Sequence, residues 1–145
     1  MPIRVGGVST TPLIQAAGMA VLESVQLLLG AGASVNASDE LGHTAFMTSL
    51  RSPSADAAAV LSVVGALLAA GSDVYARDLA GDTALHHLAR HSHEKPWAAA
   101  AARLLRDSGA DASITNKAGL TPAQAVPAAA RGGELHRLLL AAPGA

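Results

Sequence analysis

Apolar residues recur along the chain at helical spacing. Leu22, Val25, Leu28 and Leu29 fall three and four apart, and Val60, Val63, Val64, Leu67 and Leu68 do the same, with further Leu-rich runs at Leu104-Leu105 and Leu138-Leu139-Leu140. That spacing gathers the apolar side chains on one stripe of a helix. Three of these runs are followed by a glycine, at Gly32, Gly71 and Gly109, which suits the left-handed position just past a helix end. Ahead of each run stands a threonine, Thr11, Thr44, Thr83 or Thr121, with Pro12 and Pro122 directly after two of them. Threonine caps the amides of a helix start, and proline at the first helical position forfeits no hydrogen bond. The pattern predicts four units of helix, loop, helix and turn.

The polar positions repeat in the same register. Asp39-Glu40-Leu41-Gly42-His43-Thr44-Ala45-Phe46 returns as Asp78-Leu79-Ala80-Gly81-Asp82-Thr83-Ala84-Leu85 and as Asn116-Lys117-Ala118-Gly119-Leu120-Thr121-Pro122-Ala123. Thr11-Pro12-Leu13-Ile14-Gln15-Ala16-Ala17 is a fourth copy of the second half. An Asp or Asn three residues before a glycine is turn chemistry, since its side chain accepts from a backbone amide two residues on and the glycine takes positive φ. The carboxylates of Asp39, Asp73, Asp78 and Asp111 are therefore assigned to turns rather than to acid-base work.

Composition sharpens this picture. Of 145 residues 50% are hydrophobic but only 2% aromatic, with one Trp, one Tyr and one Phe. The core must then be built from Leu, Val and Ala, which fill space only when backbones approach closely, and these residues favour helix over strand. The length suits one domain. With no cysteine, disulfides, thiol catalysis and cysteine-held zinc are ruled out. A formal net charge of -1 gives no reason to expect nucleic acid or an anionic membrane as a partner. The longest apolar stretches fall short of a bilayer span, and residues 1 to 7 lack the pattern of a secretory signal. The expectation is a soluble, cytoplasmic monomer.

The repeating unit resembles the ankyrin repeat, with its period of ~33 residues and its T-P-L-H-x-A signature. The resemblance spans about residues 9 to 142. It is carried by Thr11 to Ala17, by Gly81-Asp82-Thr83-Ala84-Leu85-His86-His87-Leu88-Ala89, and by Gly32-Ala33-Ser34-Val35-Asn36-Ala37 and Gly109-Ala110-Asp111-Ala112. It implies an all-α solenoid of about four units, near residues 9 to 38, 39 to 77, 78 to 115 and 116 to 142, joined by hairpin-like turns. Threonine-to-threonine spacing is 33, then 39 and 38. The surplus lies in Ser52 to Asp56 and His91 to Pro96, so both loops should be longer than the family's. Residues 1 to 8 are expected to be an extended or poorly ordered extension, and the helix near Gly133 to Ala142, with Glu134, His136 and Arg137, a polar cap. A complete four-repeat module is the expectation, a stretch of a longer array the other arrangement.

Catalytic groupings do not emerge: there is no Gly-x-Ser-x-Gly elbow and no phosphate-binding loop. The expectation is a protein that is not an enzyme and needs no cofactor or metal. The histidines are the one constellation to weigh. His86, His87, His91 and His93 fall close together, and His87 and His91 are four apart, a spacing that can clamp a metal if a third ligand joins. A metal- or small-ligand-binding accessory domain centred on His87, His91 and His93 is the alternative to a protein-binding role. The resemblance instead gives His86 a structural task, satisfying backbone groups of adjoining turns. Trp97 admits two readings, packing of the lengthened loop or an anchor for a partner.

In the ankyrin family the residues around the turn glycine and those closing the first helix face a concave binding groove. Carried onto this chain, the groove comprises Glu40, Leu41 and His43 with Arg51 and Ser52; Leu79, Ala80 and Asp82 with Arg90 and His91; and Lys117, Ala118 and Leu120. Arginines mixed with leucines suit a folded protein or peptide, whereas DNA would call for a denser basic stripe. The resemblance thus implies a non-enzymatic module that binds another protein. Analogy with small bacterial ankyrin proteins resembling immunity factors extends this to neutralising or regulating that partner. A purely structural spacer is the third reading.

Overall fold

A computed structural model describes the backbone of residues 3–5 and 8–140, with side chains described from Thr11 onward. The chain opens with a short antiparallel ribbon of β1 (Ile3–Val5) and β2 (Val8–Thr10), pairing Ile3 with Thr10 and Arg4 with Ser9. The described parts of this segment, expected to be extended or poorly ordered, are extended and paired.

Among the described residues, all the named elements that follow are helical. They alternate between two layers. One layer contains α1 (Pro12–Gly18), followed by α2 (Leu22–Gly30) in the other; then come α3 (Ala45–Ser49) and α4 (Ala57–Ala69), α5 (Ala84–His91) and α6 (Ala98–Asp107), and α7 (Pro122–Ala125) and α8 (Glu134–Leu140). Odd-numbered helices stack on one another, as do even-numbered ones, and each odd helix packs on the even helix after it. The lateral seams so formed hold Ala17, Val25, Leu50, Val60, Val63, Val64, Leu67, Leu88, Ala101, Ala102 and Leu105, all fully buried. Small and β-branched side chains at these seams let the helices approach, and no unit could bury its apolar stripe without a neighbour.

Helix starts follow the threonines. The Oγ1 of Thr11 accepts from the Ile14 amide at 3.1 Å and that of Thr44 from the Met47 amide at 3.3 Å. Thr83 and Thr121 form reciprocal capping boxes with His86 and Gln124. Gly32, Gly71 and Gly109 take φ of +90°, +94° and +96° after their helices. The fourth unit is abbreviated, because Val126 turns extended and Pro127 follows, so α7 is a single turn and a 3-10 segment (Ala128–Ala130) leads to α8. α8 buries Leu135 and Leu139 against α6 and keeps Glu134, paired with Arg103, outside. The expected cap reached Ala142, and its last two residues lie outside the described ones.

The two long loops lie together and are stitched. Ser92 Oγ donates to the Leu50 carbonyl at 2.6 Å, Lys95 Nζ to that of Pro53 at 2.9 Å, and Trp97 Nε1 to that of Ser54 at 2.9 Å. Trp97 is fully buried, which decides between its two readings in favour of packing: its ring fills the space the loops enclose and its N–H satisfies one of their carbonyls. Trp97→Ala should therefore lower stability by ~3–5 kcal/mol in urea denaturation followed by circular dichroism. Met19→Ala, at an exposed apolar site, should change it by less than ~0.5 kcal/mol.

Candidate functional site

Each turn is built around one acidic or amide side chain. Asp39 Oδ1 accepts from the amides of Leu41 and His43, both at 2.9 Å; Asp78 Oδ1 accepts from Ala80 and Asp82 at 2.9 and 3.0 Å; Asn116 Oδ1 accepts from Ala118 and Leu120 at 3.0 Å. Asp73 and Asp111 likewise accept from amides two residues on. Consecutive turns are then bonded backbone to backbone. The Leu79 amide donates to the Leu41 carbonyl at 3.0 Å and the Lys117 amide to the Ala80 carbonyl at 3.0 Å. This approach requires glycine: at Gly81 (φ +78°) a Cβ would stand 2.9 Å from the Lys117 amide nitrogen.

The residues expected to face a partner separate into two groups. Glu40, Leu41, Leu79, Ala80, Lys117, Ala118 and Leu120 are exposed on the bonded turns, with Leu41 at 48% and Leu79 at 61% of full exposure. His91 is exposed and Arg51 half-buried where α5 and α3 end. The others are occupied internally. Asp82, expected on the groove surface, is buried, because its side chain turns toward the next unit, where Asn116 Nδ2 donates to it at 2.8 Å and Arg90 Nη1 at 2.6 Å. Burial works against its charge, but the Asn116 and Arg90 hydrogen bonds and the Arg90 charge prevail and hold the carboxyl below its ordinary range. Ser52 is buried with its Oγ accepting from the Ser54 amide. Arg90 is thereby a brace of the stack as well as a half-exposed cation.

The histidines also divide. His86 Nδ1 accepts from the Thr83 amide at 3.1 Å, and Nε2 lies 2.8 Å from the Leu120 carbonyl, so the ring ties one turn to the next as the resemblance implied. His87 does not group with His93, whose Nε2 instead lies 3.7 Å from Glu94. It meets Asp78, with Nε2 2.8 Å from Oδ2, and His43 comes to the same oxygen with Nε2 at 3.3 Å. The His43 and His87 rings meet edge to face with centroids 5.1 Å apart, and His91 stacks on His87 at 5.8 Å. Helical spacing alone paired His87 with His91 and overlooked Asp78 and His43. The signal available was repeat register: His43 stands to Asp78 as Asp82 stands to Asn116 one unit on.

Burial pushes the imidazoles of His86 and His87 below their ordinary value, in His87 against the pull of Asp78. Protonating His86 at Nδ1 would also break its bond from the Thr83 amide. A lowered native value means that the unfolded chain takes up protons first as pH falls, so stability is intact at neutral pH and is lost progressively below about pH 6.5. The thermal midpoint should drop between pH 7 and pH 5, and His86→Gln should flatten that part of the profile.

Residues 10–40 match the family model described as Ankyrin repeat. Comparison with curated proteins finds no relative that matches the chain. The matched segment contains the Thr11 cap, α1, α2 and the Gly32 turn; the same succession recurs with caps at Thr44 and Thr83, and Thr121 caps the abbreviated fourth unit. Residues 10–40 are thus similar to an ankyrin repeat.

Proposed function

We propose that this chain is a non-enzymatic module that binds another protein through the exposed face of its bonded turns. The observation that carries the reading is that Leu41, Leu79, Ala80, Ala118 and Leu120 are left in solvent on turns whose backbones are bonded one to the next. Large apolar side chains on a rigid backbone lose little entropy when covered, and Arg51, Lys117 and Glu40 around them supply a polar rim. Ankyrin repeats act generally as protein-interaction modules, which supports the same assignment; regulation or neutralisation of the bound protein is the corresponding physiological role. The stack is the scaffold: its seams are buried, whereas these residues present side chains the fold does not use.

The test keeps the braces intact. Arg90 and Asp82 are left unchanged, since altering either disturbs the stack itself. Leu41→Asp with Leu79→Asp should weaken a partner purified from the source cell by at least tenfold, about 1.4 kcal/mol, in a calorimetric titration. Ala58→Glu, exposed on α4, should leave affinity within twofold. The reverse ranking would remove the turn face as the binding surface.

A further inference from the structure

Independently of the protein-binding face, we propose that His43, Asp78 and His87 form a binding site for one divalent transition-metal ion of the zinc class. These three side chains each offer a ligand atom within 4.8 Å of the others. They come from three places: the turn before α3, the turn before α5, and α5 itself. A tetrahedral zinc with bonds of ~2.0–2.2 Å sets its ligand atoms about 3.3–3.5 Å apart. His43 Nε2 and Asp78 Oδ2, at 3.3 Å, already stand at that separation, and His87 Nε2, at 2.8 Å from the same oxygen, needs to open by about half an ångström.

The surroundings fit a cation better than they fit two imidazoles sharing one carboxylate oxygen. If each neutral ring donates from Nε2 to Asp78 Oδ2, the lone pair of His43 Nδ1 faces Asp39 Oδ2 at 3.5 Å, acceptor against acceptor. An ion on Nε2 moves the His43 proton to Nδ1, where Asp39 accepts it. That is the carboxylate–histidine–metal relay that orients a metal ligand from behind. Asp78 is equally prepared, because its Oδ1 is held by the Ala80 and Asp82 amides and Oδ2 is left for the ion. His87 engages Asp78 through Nε2; its Nδ1 is buried and has no hydrogen-bond partner among the described residues, so an ion on Nε2 leaves that N–H without an acceptor, a cost that the metal bond has to exceed.

Two carboxylates, Asp39 and Asp78, balance a divalent charge, and Arg51, whose field reaches His87 and His91, opposes it. Two imidazoles and one carboxylate select zinc, cobalt or nickel over magnesium or calcium. Three protein ligands leave a fourth position for solvent. Since His43 belongs to the second unit and Asp78 and His87 to the third, the ion is a clasp across their seam, and binding to the folded chain alone must stabilise it.

The untagged full chain, stripped with chelator, is titrated with zinc chloride at pH 7. One ion per chain with micromolar or tighter affinity is expected, with a rise in thermal midpoint. His43→Ala, at a partly exposed site that should still fold by circular dichroism, should weaken binding at least tenfold. Asp39→Asn should weaken it about tenfold, and His93→Ala should not change it. Cobalt in place of zinc should give the intense visible bands of four- or five-coordination. No saturable binding, full binding by His43→Ala, loss in His93→Ala, or a weak octahedral cobalt spectrum would each overturn the assignment.

Discussion

The structure depends on the close approach of successive turns. Backbone groups of one turn bond directly to those of the next, Leu41 to Leu79 and Ala80 to Lys117, and this happens only where glycine removes the Cβ that would stand between them. Once the turns are joined, the repeat spacing of the helices is set and their apolar stripes meet. Each turn needs its own internal acceptor first, supplied by Asp39, Asp78 and Asn116. Burial of Leu, Val and Ala supplies most of the free energy, but the turn bonds decide the register in which it is collected.

The same register explains how polar side chains come to be buried in an Ala-rich stack. Side chains directly after the turn glycine reach the next unit's turn acid or amide: His43 meets Asp78, and Asp82 meets Asn116. Those further along close the network, with Arg90 on Asp82 and His87 on Asp78. The third unit is the most thoroughly tied, because His86 also spans to Leu120. What remains outside the network is the apolar set on the turn tips. Scaffold and surface are thereby separated within a few residues of each other.

Much of this was legible in the residues. Thr11, Thr44, Thr83 and Thr121 start helices, Gly32, Gly71 and Gly109 end them in the left-handed region, and the inserts at Ser52 to Asp56 and His91 to Pro96 are loops. These features are local, governed by capping, φ and hydrophobic period, so a short window suffices to read them. The candidate site was legible only in part. The exposure of Leu41, Leu79, Lys117 and Leu120 agrees with positions carried over from the family, whereas Asp82 and Ser52 turned inward.

Sequence by itself determined the unit, its number and its turns, because those rest on interactions between residues a few positions apart. Tertiary structure alone decided that Trp97 seals two loops, that Asp82 belongs to Asn116 and Arg90, and that His87 shares an oxygen with His43 rather than a ligand set with His93. Such pairings join residues up to 44 positions apart. They arise from the stacking translation of one unit on the next, which no local preference encodes and which only the assembled seams define.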